Sequence, residues 1–232
     1  MNLRQQIMVI LGVGAGAIAL IVMPVTTHVS ESIVKVTNFA GNSGGTGWLT
    51  KNARGQKIVV TNDHVCEVAV NDIVRIENHA GHATFNNIVA RDYAHDLCAI
   101  TGIEGPALTL AKKGPNRFDK ISIFGHPLLE PSQPSFGMYI GNGITSFVQE
   151  RGPNGCKEGA TPIEIQSIFG TFEACQKLEA LSLTNMPVFP GNSGSPVLNE
   201  DGEVIGVINS GDARDNHGAY VPLPYVQDLL TK

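Results

Sequence analysis

The sequence predicts an all-β fold, either a barrel or a sandwich, with an apolar helix ahead of it. The first observation is a series of short β-branched and apolar runs, roughly ten to twelve of them, separated by glycine-containing turns. The second is the presence of 26 glycines and 13 prolines in 232 residues, which is typical of turn-rich β proteins. The third is a hydrophobic fraction of 42% against 16% charged residues, which suffices for a sizeable core and excludes global disorder.

The N-terminal segment is predicted to be a membrane-spanning helix. Residues 7–25 (IMVILGVGAGAIALIVMPV) carry no charge, and Arg4 is the only charged side chain before them. About 20 apolar residues span the hydrocarbon core of a bilayer as a helix. A cleaved signal has a shorter apolar region ending in small residues, which the following TTHVSES does not offer. We therefore favour a signal anchor at residues 1–31 over a cleaved signal peptide, and expect an exported, membrane-anchored or secreted protein.

Residues 32–232 are expected to form one continuous region of strands and turns. Its first run, SIVKVTN, alternates apolar and polar residues like a half-buried strand. Further strands are predicted, in chain order, at GTGWLT, QKIVVTN, DIVRIEN, NNIVARD, DLCAITG, ISIFGHP, MYIGNGITSFVQ, EALSLTN, SPVL, EVIGVINSG and GAYVPLP. The NEDG between SPVL and EVIGVI is a hairpin signal. Residues 151–176 are the least regular and predict a long loop, and the closing PYVQDLLTK predicts a short helix.

Charge and cysteine usage exclude several classes of function. The net charge is −5 with no long basic run, so a nucleic-acid partner is not expected. The four cysteines include no C-x-x-C pair, and the H-x-x-H pair of His79 and His82 lacks further ligands, so no metal and no other cofactor are expected. An even cysteine count in an exported chain instead predicts disulfides, for which four cysteines allow three connectivities.

Three polar residues at strand ends have the chemistry of nucleophilic catalysis. A serine nucleophile needs an adjacent base, normally histidine, and the base needs a carboxylate that orients it. His64 follows the β-branched run KIVVTN, and Asp96 precedes the apolar run LCAI. Ser193 lies in the glycine turn PGNSGS, where backbone N–H groups can converge on one point.

These segments resemble the motifs of the chymotrypsin-like serine proteases. TNDHVC is similar to the family's histidine motif, HDLCAI to its aspartate strand and PGNSGSPVLN to its nucleophile motif. They occur in the family's order, at separations of 32 and 97 residues. The resemblance extends over residues 32–232 and is closest to Deg-type bacterial trypsin-like peptidases without a PDZ domain. It implies two six-stranded antiparallel β-barrels that meet near residues 110–120, followed by the short C-terminal helix.

The resemblance implies a role for each residue of the set. Ser193 would be the nucleophile, His64 the general base and acid, and Asp96 the orienting carboxylate, with Asp92 as its rival. The N–H groups of Gly191 and Ser193 would form the oxyanion hole. The motif GNSGG, which contains Ser43, precedes His64 in the chain, so Ser43 is expected to be a turn serine.

The resemblance also places a substrate pocket that carries no acidic residue at its base. Its implied walls are Pro187, Val188, Asn209, Ser210, Gly211 and Gly218. With two glycines among them the pocket is expected to be open and to accept apolar side chains such as Phe, Leu, Met or Val. Whether Asp212 or Asp215 folds inward stays open at this point.

Two disulfides, Cys66–Cys98 and Cys156–Cys175, are expected. Cys66 lies two residues after His64 and Cys98 two after Asp96. Residues two apart in a strand share a face, so Cys98 would face the segment that Asp96 faces. The other two cysteines bracket the irregular 151–176 stretch. Four buried free thiols are the alternative.

The function predicted from the sequence is that of a serine endopeptidase acting on protein or peptide substrates. Two other functions remain open at this stage. One is a catalytically inactive protein with this fold that serves in binding. The other is a maturation protease restricted to one partner.

Overall fold

The structure, a computed structural model, describes residues 26–150, 155–156, 160–167 and 170–232. The predicted membrane helix at residues 7–25 lies outside these ranges. Among the helices within them, none has the length and apolar character needed to cross a membrane.

The first half of the described chain is a closed barrel of six antiparallel strands. Its strands are β1 (Ile33–Thr37), β2 (Gly44–Lys51), β3 (Lys57–Thr61), β4 (Ile73–Glu77), β5 (Ala83–Asp92) and β6 (Leu97–Thr101). They pair in the order β1-β2-β3-β6-β5-β4, and β1 closes the barrel against β4. A short helix α1 (Thr26–Glu31) precedes β1, and a single turn of helix, α2 (Asp63–Cys66), follows β3. Alternate β-branched side chains such as Val34, Val36 and Ile76 fill the barrel interior.

The second half is a larger antiparallel barrel. Its strands are β7 (Lys120–Gly125), β8 (Gln133–Glu150), β9 (Thr161–Ser167), β10 (Gly170–Thr184), β11 (Pro196–Leu198), β12 (Val204–Asp212) and β13 (His217–Pro222). The order is β13-β12-β11-β7-β8-β10-β9, and a further pairing of β13 with β10 closes six of the strands into a barrel. A 3₁₀ turn (Pro127–Leu129) follows β7, and helix α3 (Leu223–Leu229) follows β13. The predicted pair of six-stranded barrels and the short C-terminal helix are thus confirmed.

One apolar cluster joins the two barrels. Trp48 and Leu97 from the first barrel pack with Leu181 and Leu198 from the second, and all four side chains are buried. Val226 of α3 belongs to the same cluster. Because the cluster is shared, the ends of the strands at the junction of the barrels hold fixed positions relative to each other.

The segment predicted to be a long loop instead contains strands. Residues 161–167 form β9, and residues 170–176 are the first part of β10, which pairs with β9. The alternation of Ile163 and Ile165 with polar residues is the period-two signal that supports β9. β8 and β10, with 18 and 15 residues, together form a β-ribbon that is longer than the strands of the first barrel.

Candidate active site

His64 lies where β3 ends and α2 begins. Its Nδ1 is 2.7 Å from Asp96 Oδ2, and its backbone N–H donates to Asp96 Oδ1 at 2.8 Å. One carboxylate therefore fixes both the main chain and the ring of the histidine. With Nδ1 bonded to the carboxylate, Nε2 is the ring nitrogen left to act on a substrate. The His64 side chain is 44% exposed, so this nitrogen can be reached from solvent.

Asp96 is buried and sits in an unusual backbone conformation. It has a φ of +52°, which non-glycine residues adopt rarely and mostly at functional or tightly constrained sites. Its carbonyl oxygen accepts a hydrogen bond from Asn62 Nδ2 at 3.0 Å. Its Oδ2 accepts a further hydrogen bond from Asn209 Nδ2 at 2.7 Å. The carboxylate is thus held from both barrels.

Asp92, the rival of Asp96, is bonded elsewhere. Its Oδ1 lies 3.1 Å from Nδ1 of His95, and its Oδ2 lies 3.1 Å from Lys232 Nζ. The ring of His95 also stacks on Tyr225 of α3, with ring centroids 3.8 Å apart. Asp92 and His95 therefore attach the C-terminal helix to the first barrel, and the structure brings only Asp96 to His64.

Ser193 is positioned by a glycine turn that packs against the first barrel. Gly191 and Gly194 have φ values of +92° and +87°. A Cβ at Gly191 would overlap the carbonyl oxygen of His126, and one at Gly194 would overlap that of Thr46. The carbonyl oxygen of Ser193 accepts a hydrogen bond from the Thr46 N–H at 2.8 Å. Only glycine fits both positions, which explains the PGNSGS motif.

The peptide groups around Gly191 are oriented by hydrogen bonds to their oxygens. The Pro190 carbonyl accepts from the Leu128 N–H at 2.6 Å, and the Gly191 carbonyl accepts from Thr46 Oγ1 at 2.7 Å. Because a trans peptide directs N–H and C=O to opposite sides, the Gly191 N–H points away from Leu128.

The N–H groups of Gly191 and Ser193 are available to a ligand. The other N–H groups of the turn donate within the protein, those of Asn192, Gly194 and Ser195. Within the described part of the chain, the hydrogen bonds leave the N–H groups of Gly191 and Ser193 without an acceptor. Two free N–H groups flanking a nucleophile are the arrangement of an oxyanion hole.

The Ser193 hydroxyl donates to the backbone carbonyl of Asn209 at 3.3 Å. The side chain of the same Asn209 donates to Asp96, which in turn binds His64. Asn209 is the extra residue of a β-bulge, because Ile208 and Ser210 pair with consecutive residues of β13. A bulge redirects the side chain at its position, and here it turns the predicted pocket residue Asn209 toward Asp96.

The acid–base balance of His64 is shifted toward the protonated ring. Burial lowers the pKa of His64, but the hydrogen bond and the charge of Asp96 outweigh it, and Glu67 and Asp63 add to the increase. The net result is a pKa above the usual value of 6.5. An imidazolium formed at this position is therefore stabilised.

Val188 packs against both glycines of the predicted pocket. A Cβ at Gly211 would lie 2.5 Å from Val188 Cβ, and one at Gly218 would lie 2.8 Å from Val188 Cγ2. Val188 is buried, and Pro187 and Ser210 are half-buried. The two glycines thus accommodate the valine side chain, which leaves less space than the sequence suggests.

Of the acidic residues near the predicted pocket, one is paired and the other is exposed. Asp212 pairs with Arg214, with Oδ2 2.7 Å from Nη2, and Asp215 is exposed. Ser43 is also exposed and lies in the turn between β1 and β2. Its glycine motif leads into β2, whose Thr46 holds the Ser193 turn.

Two disulfides join the same cysteines that the sequence pairs. Cys66 and Cys98 have Cα atoms 6.6 Å apart, and those of Cys156 and Cys175 are 5.5 Å apart. The first bridge ties α2 to β6 and so links the segments that carry His64 and Asp96. Among the described residues, no group of three or more His, Cys, Asp or Glu side chains is arranged to hold a metal ion.

Two closed antiparallel barrels, with a histidine and an aspartate from one and a serine from the other, define the trypsin-like serine protease fold. Residues 45–207, more than half of the chain, match the trypsin-like peptidase domain family. The chain therefore belongs to that family.

Comparison with individual proteins gives the same fold. The serine protease Do-like HtrA of Bacillus subtilis is 23% identical over 198 residues, which are 82% of this chain but only 40% of that protein's length. The crystal structure of the active form of the Rv3671c protease from M. tuberculosis has a TM-score of 0.63 at 19% identity, with 89% of this chain and 82% of that chain covered. A serine endoprotease from Yersinia pestis has a TM-score of 0.60 at 17% identity, with 88% and 62% covered.

Proposed function

We propose that this protein is a serine endopeptidase that cleaves peptide bonds through an acyl-enzyme at Ser193. A chain of hydrogen bonds across the two barrels carries the proposal. Asp96 Oδ2 binds both His64 Nδ1 and Asn209 Nδ2, and the Asn209 carbonyl accepts from the Ser193 hydroxyl. The bond to Asp96 fixes the His64 ring and leaves Nε2 as the ring nitrogen that can act on a substrate.

The proposed reaction begins with a rotation of the Ser193 hydroxyl from the Asn209 carbonyl to His64. Nε2 accepts the hydroxyl proton as Oγ bonds to the scissile carbonyl carbon, and the π electrons of the carbonyl move to its oxygen. The N–H groups of Gly191 and Ser193 bind this oxyanion. The oxyanion electrons then re-form the C=O bond as the C–N bond breaks, and His64 gives its proton to the leaving amine. In the second half, His64 takes a proton from a water molecule whose oxygen bonds to the acyl carbon. The C–Oγ bond then breaks as His64 returns the proton to Ser193, which releases the acid.

Asp96 has two roles in this mechanism. It keeps the proton of the neutral imidazole on Nδ1, so that Nε2 can accept the serine proton. It also stabilises the imidazolium that forms, which the raised pKa of His64 supports. A catalytic hydrogen bond between serine and histidine is often long or unformed before substrate binds, so the present bond of Ser193 to Asn209 is compatible with catalysis.

The proposed substrates have a small apolar residue before the scissile bond. Val188 reduces the space between Gly211 and Gly218, and no carboxylate faces that space because Asp212 pairs with Arg214. Alanine and valine are expected to fit better than phenylalanine or leucine, and arginine or lysine would find no counter-charge.

The two disulfides and the HtrA-like relatives suggest a protease that works outside the cytoplasm. We propose that residues 1–31 anchor it to the membrane, on the basis of the uncharged run at residues 7–25.

A second candidate function is binding without cleavage, and one observation favours it. In the conformation described, the Ser193 hydroxyl is bonded to a backbone carbonyl and not to His64. A serine fixed in this way would be inert.

Labelling with a fluorophosphonate probe separates the two candidates. We expect the full chain to be labelled at Ser193, with labelling lost in Ser193→Ala and kept in the matched control Ser43→Ala. Peptides released from a library with varied residues before the scissile bond would then give the specificity. An unlabelled, correctly folded wild-type chain would reject the endopeptidase and favour the binding protein.

A further inference from the structure

A buried ion pair lies next to the proposed catalytic residues without belonging to them. Lys177 and Glu179 of β10 form a close ion pair, with side chains that are only 15% and 6% exposed. Both follow Cys175 at intervals of two residues, so the three side chains share one face of the strand. Buried charges cost free energy unless they are paired and hydrogen-bonded, so a buried pair at this place requires a reason.

Lys177 contacts the loop that carries Asp96, and Glu179 contacts the asparagine that binds Asp96. Lys177 Nζ donates to the carbonyl oxygen of Tyr93 at 2.6 Å, three residues before Asp96. Glu179 Oε2 lies 3.4 Å from Asn209 Nδ2, the same group that donates to Asp96 Oδ2 at 2.7 Å. Two carboxylates therefore share one amide donor, and the second barrel holds the aspartate loop at two points.

The charges around Glu179 and His64 act on each other. Burial raises the pKa of Glu179, the hydrogen bond and charge of Lys177 oppose this increase, Asp96 adds to it and His64 opposes it. The groups that act on His64 are Asp96, Glu67 and Asp63, and Arg91 pairs with Asp63 at 2.7 Å. The net result is a raised pKa of Glu179, and Lys177 is the main group that favours its ionised form.

We infer that Lys177 and Glu179 are positioning residues for the catalytic group. Their ion pair holds Asp96 through Asn209 and Tyr93, and Lys177 neutralises the second carboxylate so that Asp96 remains the principal charge acting on His64. The inference that these residues position a catalytic group rests on the proposed function. The electrostatic coupling to His64, in contrast, can be measured whether or not the protein cleaves peptides.

The test is a ¹H NMR titration of His64 in the full chain, with the His64 resonance assigned by its loss in His64→Asn. Glu179→Gln leaves the Lys177 cation unpaired, so the titration midpoint of His64 should fall by roughly 0.5–1 pH unit. Lys177→Met removes the cation that lowers the pKa of Glu179, so Glu179 should titrate together with His64, and the His64 curve should show a higher midpoint or a second step. The double variant and Lys177→Arg should both titrate close to wild type.

The matched control is Glu77→Gln, which removes a half-buried carboxylate paired with Lys35 and Arg75 in the first barrel. It should leave the His64 midpoint unchanged. Midpoints within 0.1 pH unit of wild type for both Glu179→Gln and Lys177→Met, a threshold well below the expected shift, would overturn the inference. Equal midpoints for Lys177→Met and Lys177→Arg would do the same. If one single variant does not fold, the other and the double variant still decide.

Measurements of activity distinguish a failure of this inference from a failure of the proposed function. If Ser193 is labelled by the fluorophosphonate, the acidic limb of kcat/KM should move with the NMR midpoint in each variant. If Ser193 is never labelled, the endopeptidase proposal fails, and the titration still supports or rejects the coupling.

Discussion

The two barrels contribute parts of the candidate site that differ in how far their hydrogen bonds are already formed. In the first barrel His64 and Asp96 are already joined by two hydrogen bonds, and the buried Cys66–Cys98 bridge links their segments. In the second barrel the Ser193 hydroxyl is bonded to Asn209, and Val188 packs against both glycines of the predicted pocket. In the proposed mechanism, this difference means that the acid–base pair is preorganised and that binding of substrate completes the nucleophile side.

The largest effect expected is from the nucleophile. Ser193→Ala should abolish peptide cleavage, because loss of the nucleophile in a serine protease costs on the order of 10⁶ in kcat. Ser43→Ala should leave kcat within a factor of about two, since Ser43 is an exposed turn residue. Steady-state kinetics on a peptide identified by library screening would measure both. Equal losses in the two variants would contradict the assignment.

Substitution of Asp96 tests the part of the candidate site that the first barrel contributes, namely the hydrogen-bonded pair of His64 and Asp96. Asp96→Asn should lower kcat by roughly 10⁴, because an amide no longer keeps the proton on Nδ1 of His64.

The same substitution should also shift the pH dependence of activity in a defined direction. Only neutral His64 can accept a proton, so wild-type activity should rise with pH through a midpoint above 6.5. In the variant burial still lowers the pKa while the contribution of Asp96 is lost, so any residual activity should have its midpoint at lower pH. An unchanged midpoint would argue against the His64–Asp96 coupling.

Removing each disulfide in turn compares what the bridge in each barrel contributes to the free energy of unfolding. Replacing both cysteines of either bridge by alanine should lower the free energy of unfolding by roughly 3–4 kcal/mol on the loop-entropy model. The Cys66/Cys98 variant should also lose activity, because that bridge links the segments of His64 and Asp96, whereas the Cys156/Cys175 variant should lose less. Chemical denaturation together with kcat/KM would measure this. A greater loss of activity in the Cys156/Cys175 variant would reverse the comparison.

The smallest expected effect is a change in substrate preference when the predicted pocket in the second barrel is altered. Val188→Ala should raise kcat/KM for phenylalanine relative to alanine before the scissile bond by roughly 10–200-fold, the range for a few methylene groups in an apolar pocket. The control is Val89→Ala, which removes an exposed valine of the first barrel. A ratio that does not change in Val188→Ala would show that another residue limits the pocket.

Most of the site could be predicted from the sequence because its parts are local. His64 and Asp96 stand at strand ends and Ser193 stands in a glycine turn, and each has a short motif around it. The alternation of apolar residues predicted the barrel strands, and the predicted cysteine pairs match the two bridges in the structure.

The features of the site that could not be predicted from the sequence depend on contacts between segments that are distant in the chain. The orientation of Asn209 results from a β-bulge, which strand alternation does not reveal. Lys177 contacts the Tyr93 carbonyl across 84 residues of sequence, a pairing that only the folded barrels create. The contact of Val188 with Gly211 and Gly218 could not be predicted, because glycines indicate open space and only tertiary packing places Val188 beside them.

The β-ribbon also has a mechanical meaning. β8 and β10 pair without a register shift from Ala174 to Leu183, and the Cys156–Cys175 bridge lies near the beginning of that run. A continuous ladder of hydrogen bonds is stiff along its length, so these residues behave as one rod and not as a flexible loop. Lys177 and Glu179 lie partway along this ladder, so a displacement of the ribbon would move two charges relative to the proposed catalytic aspartate.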